Sequence, residues 1–153
     1  MKTKSNNKPQ KKVKTRRVKR SSSLNQYSEQ KIVAMFLQML NTVKLYHWKT
    51  YSYAQHKATD KLYDELNGNI DTFVETMLGK KGDRVNLTGQ KTLPLLDYNN
   101  LQDFKLEVEK YKTFLINMNK DINLNITNNS DLLNIRDEIL GNLNQFSYLL
   151  TFK

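Results

Sequence analysis

Residues 79–98 hold three of the chain's five glycines together with Pro94 and show no sustained hydrophobic period, whereas the sequence on either side is helical in pattern. A connection of that length limits what the flanking helices can do. Helices joined only by short loops alternate up and down, but one long crossover lets the second and third of four run parallel. With 153 residues there is material for one domain around one core. The pattern predicts an all-α four-helix bundle with a long crossover between its second and third helices. It calls for no strand, and no repeat at a fixed period occurs.

Three helix starts carry the spacing of a capping box: Ser23 with Gln26, Ser52 with Gln55, and Asn99 with Gln102. The first helix is expected from about Leu24 to Lys49, with Ile32, Val33, Phe36, Met39, Leu40, Val43 and Tyr46 facing inward. The second is expected from Tyr53 to Leu78, stopped by Gly79. The third covers Asn100 to about Ile122, with apolar positions at Leu101, Phe104, Leu106, Val108, Tyr111, Phe114, Leu115 and Met118. After an Asn-rich turn the fourth runs from Ser130 to Phe152, with Leu132, Leu133, Ile139, Leu140, Leu143, Phe146, Leu149 and Leu150.

The net charge of +10 is unevenly placed. Lys2, Lys4, Lys8, Lys11, Lys12, Lys14, Arg16, Arg17, Lys19 and Arg20 precede any acid, and the remainder of the chain balances fifteen basic against fifteen acidic residues. A segment so charged and so poor in apolar residues cannot offset the entropy of ordering. Residues 1–22 are therefore expected to be a disordered basic tail, and residues 23–153 the folded domain. The longest apolar run, Ile32–Leu37, is far short of the roughly twenty residues that span a bilayer. The tail has neither the apolar segment of a secretory signal nor the amphipathic face of a presequence, so a soluble, cytoplasmic protein is expected.

With no cysteine, strong metal ligands reduce to imidazole and carboxylate. Four candidates, His56, Asp60, Asp71 and Glu75, fall within roughly a 100° arc of the second helix. Along the axis the His56/Asp60 pair lies about 22 Å from the Asp71/Glu75 pair. One ion cannot reach both pairs in one chain, so a shared site requires a second copy lying antiparallel, with a two-fold axis and two composite sites. Either pair alone reads more readily as a solvated helix surface, but two carboxylates at i and i+4 repel, and a cation makes their approach favourable, so the full pattern supports metal binding and a solvated face equally. Asp64 falls in the same arc without a role. His47 belongs to the first helix and reaches the site only across the intervening turn. Trp48 and Tyr46 read as packing residues at a helix end. Gly68 interrupts the second helix at a cost of about 1 kcal/mol, which suggests close approach of another backbone near the two-fold axis.

Tyr46-His47-Trp48, the run from His56 through Asp60 to Leu66, and Ile70-Asp71-Thr72-Phe73-Val74-Glu75 resemble the ferroxidase signature of the Dps miniferritins, the DNA-binding proteins from starved cells. Asp131–Leu140 and Phe146–Leu150 extend the likeness more weakly. The resemblance implies a ferritin-like bundle assembled through two-fold dimers into a hollow dodecamer, with iron sites between subunits that each hold up to two ions. By position His47, His56 and Asp60 are similar to ligands from one subunit, and Asp71 and Glu75 to carboxylates from its partner. Trp48 would stand beside the iron and intercept oxidising species.

That reading predicts oxidation of Fe(II) by hydrogen peroxide or oxygen, ferric storage inside the shell, and protection of DNA from hydroxyl radicals. Zn(II), Co(II) or Mn(II) would also fit such ligands. Because a ligating imidazole must be neutral, uptake should weaken below about pH 6.5. The tail's cations would bind DNA without sequence preference, in a bacterial nucleoid, a nucleus or a virion. Lys11-Lys12 and Arg16-Arg17 also read as a nuclear address, and the whole tail as a solubility device. The rival functions are a DNA-compacting nucleoprotein of the same fold without ferroxidase activity, and a metal-binding or assembly scaffold that ignores nucleic acid.

Overall fold

A computed structural model describes residues 28–121 and 128–152, with 119–121 as backbone only. Its helices are α1 (Glu29–Lys49), α2 (Tyr53–Lys81), α3 (Leu101–Asp121) and α4 (Ser130–Leu149), and no strand occurs among the described residues. The basic segment 1–22, the Ser23–Gln26 cap, the expected helical residues 24–27 and Ile122 lie outside the described residues.

The inward positions of α1 are all buried, as its 3.6-residue period requires. Phe36 meets Phe73 edge-on at 5.1 Å, Tyr46 stacks on Phe104 at 4.0 Å, and Phe104 meets Phe146 at 5.9 Å, so all four helices share one core. Burial of each such side chain contributes about 1.5–3 kcal/mol. Between α1 and α3 the core holds one polar pair. The Thr42 hydroxyl donates to Gln38 O at 2.8 Å, which leaves its oxygen to accept from the Tyr111 hydroxyl at 2.8 Å.

Cross-helix contacts fix the directions. The link of residues 50–52 turns α2 back against α1. Lys61 reaches Gln145 while Lys80 pairs with Asp131, so α2 and α4 are antiparallel. Lys112 donates to Ser147 and the Arg136 guanidinium to Leu115 O, so α3 and α4 are antiparallel as well. Hence α2 and α3 point the same way, and residues 82–100 must travel the length of the bundle. They begin beside Lys81, whose ammonium meets Glu29 at 2.6 Å, and end where Lys49 holds Asp97 and Asn99 at the far end of α1. On the way Val85, Leu87 and Tyr98 pack against the core, and the Tyr98 hydroxyl donates to the buried Glu107 carboxylate at 2.8 Å.

Five expectations are corrected. α1 is not continuous from Leu24: Ser28 is extended, with φ −64° and ψ 152°, and the helix starts at Glu29, whose carboxylate suits the positive end of the helix dipole. α2 does not stop at Gly79 but runs to Lys81, and Gly82 ends it in the left-handed conformation with φ 71°. Lys80 and Lys81 find carboxylates on α4 and α1, which carries the helix past the first glycine. The cap of α3 is one residue later than expected. Asn100 accepts from Asp103 N–H at 2.9 Å and donates to its carboxylate at 2.7 Å, while Asn99 is taken by Lys49. α4 ends at Leu149, where Thr151 N–H donates to Tyr148 O and tightens the last turn. Leu106 is exposed on the outer face of α3, not part of its apolar side.

Candidate metal centre at the α1–α2 corner

The corner is held together by hydroxyl and amide groups from both helices. Ser52 caps α2 by accepting from Gln55 N–H at 3.4 Å. The Gln55 side chain does not return to Ser52, as a full capping box would have it. Its carbonyl oxygen accepts from the Tyr46 hydroxyl at 2.7 Å and from Thr50 at 2.8 Å, and Ser52 N–H donates to the Thr50 hydroxyl oxygen at 3.2 Å. Burial raises the Tyr46 phenol above its ordinary pKa, keeping it a donor.

This closure brings the last turn of α1 against the first turn of α2 and places His47 over His56, rings stacked at 4.0 Å. His47 Nδ1 lies 3.1 Å from His56 O, and His56 Nδ1 lies 3.1 Å from His47 O. A carbonyl oxygen only accepts, so both Nδ1 atoms carry the proton and both Nε2 atoms keep a lone pair in the neutral rings. Thr59, fully buried, adds to this. Its hydroxyl donates to Gln55 O at 2.8 Å or His56 O at 3.0 Å, and its oxygen lies 3.2 Å from His47 Nδ1. Sequence reasoning gave Thr59 no role, because its partner His47 stands on another helix.

Asp60 completes what one chain offers. Its Oδ1 is 3.8 Å from His47 Nε2, too far for a hydrogen bond, but a cation about 2.1 Å from each atom would bridge them at an open angle. Its other oxygen faces Lys57 at 3.9 Å. Three of the expected ligands, His47, His56 and Asp60, are thus gathered at one corner. Asp71 and Glu75 are not among them: both are exposed, further along an unbroken α2, about 22 Å away by helical rise. Among the described residues, no group of three or more His, Asp or Glu side chains has the geometry to hold a metal ion within the single chain. Asp64 is exposed between the two pairs. Trp48 is 69% exposed, next to His47, with the exposed rings of Tyr51 and Tyr53 on the same corner. Among the described residues, no helix is long and apolar enough to cross a membrane.

Residues 47–150 match a family model described as Family of unknown function (DUF5856). The matched span begins at His47 and takes in all five expected ligands, leaving out the basic segment and most of α1. No curated protein and no solved structure matches the chain.

Proposed function

The chain belongs to DUF5856, a family of unknown function, and from the geometry of its α1–α2 corner we propose that it is a ferritin-like miniferritin that oxidises Fe(II) between subunits, stores the ferric product in a hollow oligomer and binds DNA through its basic segment. The observation that carries the proposal is the reciprocal Nδ1 bonding of His47 and His56, which leaves the Nε2 lone pair of each ring free, that of His47 3.8 Å from Asp60 Oδ1. Fixing one ring nitrogen by hydrogen bonding to free the other is what metal-binding histidines require.

The remaining ligands come from a second copy. A point between Glu65 and Leu66 bisects both the His56/Glu75 and the Asp60/Asp71 spans, so a single two-fold axis there sets each histidine end of α2 against the partner's carboxylate end. Gly68 lies within one turn of that point, exposed, with no neighbour within 4 Å of where its Cβ would be. A second α2 can therefore approach its backbone. The parallel course of α2 and α3 supports a ferritin-like topology, and the bundle interior, with Phe36, Phe73 and the Thr42–Tyr111 pair, leaves the subunit boundary as the place for iron.

Iron is substrate here. One peroxide takes one electron from each of two ferrous ions, its O–O bond breaks, and two protons complete two waters. Trp48 stands where it can intercept stray oxidant. The test is ferrous oxidation by purified protein, wild type against the double variant His56→Ala with Asp60→Ala, together with particle mass and iron content. Loss of oxidation in the variant with particle mass unchanged supports the proposal. Equal rates overturn it and leave the DNA-compacting nucleoprotein without ferroxidase activity as the better reading.

A further inference from the structure

Where the crossover lies along α1, it leaves two adjoining recesses. Met35, Leu93, Pro94 and Phe114 wall the larger, about 400 Å³, with Lys31, Gln38 and Gln90 at its edge. The smaller, about 170 Å³, shares Ala34, Gln90 and Leu93 with the first and adds Leu37, Leu87 and Lys91. A turn in which Gln90 N–H donates to Leu87 O at 2.8 Å, with the Gln90 side chain donating to Thr92 O at 3.3 Å, shapes the crossover above both. The larger recess is of the size that holds a small ligand, and its lining is mostly apolar with a few polar groups at the margin.

The charge at the margin has one sign. Every ionisable side chain lining the two recesses is a cation, Lys31 or Lys91, and both are exposed. Lys31 also stands in the first turn of α1, where the helix macrodipole adds positive potential. The chain's own segment 1–20, with ten cations and no acid, is repelled from such a margin. An apolar floor with a cationic rim suits an apolar chain carrying one negative charge.

We propose that this groove binds a medium-chain carboxylate amphiphile, its alkyl chain against Met35, Leu93 and Phe114 and its carboxylate at Lys31 or Lys91. The site is independent of the iron reading. Each methylene buried should raise affinity about fourfold until the recess is full.

The test is calorimetric titration of the full chain, below micellar concentrations, with octanoate, decanoate and dodecanoate, and with dodecyltrimethylammonium as the cationic counterpart. Saturable binding of the carboxylates that rises with chain length, with little binding of the ammonium, supports the site. Charge reversal in Lys31→Glu with Lys91→Glu should weaken dodecanoate about tenfold, and Ala34→Trp should fill the shared wall and abolish binding. The surface double variant keeps the test open if the tryptophan variant does not fold. Equal binding of both amphiphiles, or dodecanoate binding unchanged in both variants, overturns the proposal. Binding that appears only after deletion of residues 1–27 assigns the groove to the chain's own segment, and a change of particle mass in Ala34→Trp without ligand binding in the wild type assigns it to a second copy. Either result also overturns it.

Discussion

His47 and His56 each give the Nδ1 proton to the other's backbone carbonyl, at 3.1 Å in both directions, with their rings stacked face to face. In mildly alkaline solution, long-range proton–nitrogen NMR should therefore find both rings in the Nδ1–H tautomer, with Nε2 unprotonated. Thr59→Val removes one oxygen facing His47 Nδ1 and should destabilise the fold by about 1 kcal/mol, while Thr59→Ser keeps the tautomer. An Nε2–H signal for either wild-type ring would remove the basis for metal ligation at this corner.

Subunit mixing tests the composite site directly. His56→Ala and Glu75→Ala should each abolish ferrous oxidation alone. Co-assembled at equal amounts, half the dimers are mixed and each mixed dimer regains one intact site of two, so about a quarter of wild-type activity should return. No recovery on mixing would mean that the ligands do not come from two chains.

The glycines of α2 should separate by substitution. Gly82→Ala, at φ 71°, should cost about 1 kcal/mol. Gly79→Ala, inside the helix with open space at its Cβ, should stabilise by about 0.5–1 kcal/mol. Gly68→Ala should raise the subunit's helical stability by a similar amount yet weaken association, since in the proposed dimer the added methyl would stand where the partner α2 approaches. Thermal melts and sedimentation read the two effects apart.

Three of the eight tyrosines should ionise late, Tyr46 among them because burial raises it. Burial, with the Glu107 carboxylate beside it, pushes Tyr98 up to about 12, and burial drives Tyr111 higher still. Below pH 10 these phenols are neutral in both states and their contribution is intact. Between pH 10 and about 12 the unfolded chain loses protons that the folded one keeps, so stability falls as pH rises. Denaturant midpoints should drop across that window, and Tyr98→Phe should flatten the drop. Ultraviolet titration showing all tyrosines ionising together near pH 10 would contradict it.

Deleting residues 1–22 should abolish gel retardation of DNA without changing particle mass. With ten cations available, up to about nine units of slope in log affinity against log salt should be lost. Retention of binding by the truncated protein would move the DNA contact to the bundle.

The inward face of α1 and the Ser52 start of α2 were legible because they depend on local period and a local cap. The end of α2 was not. Gly79 and Gly82 look alike in sequence, and what selects the second is the pairing of Lys80 with Asp131 and Lys81 with Glu29, residues about fifty positions away. The candidate ligands were legible by type and spacing, but Thr59 and Gln55 gain their roles only from a first-helix corner that no periodicity reveals. Asn100 displaced Asn99 as the α3 cap for a similar reason, since Lys49 claims the earlier residue.

The last turn of α2 fastens two beginnings at once, with Lys81 on Glu29 at the start of α1 and Lys80 on Asp131 and Asn128 O at the start of α4. If that turn frays, the first turns of α1 and α4 lose these contacts in a single event, while the core still holds the rest of both helices. The opening of these two turns should therefore be cooperative across the fold's two most distant segments, and amide exchange in the first turns of α1 and α4 should rise and fall together.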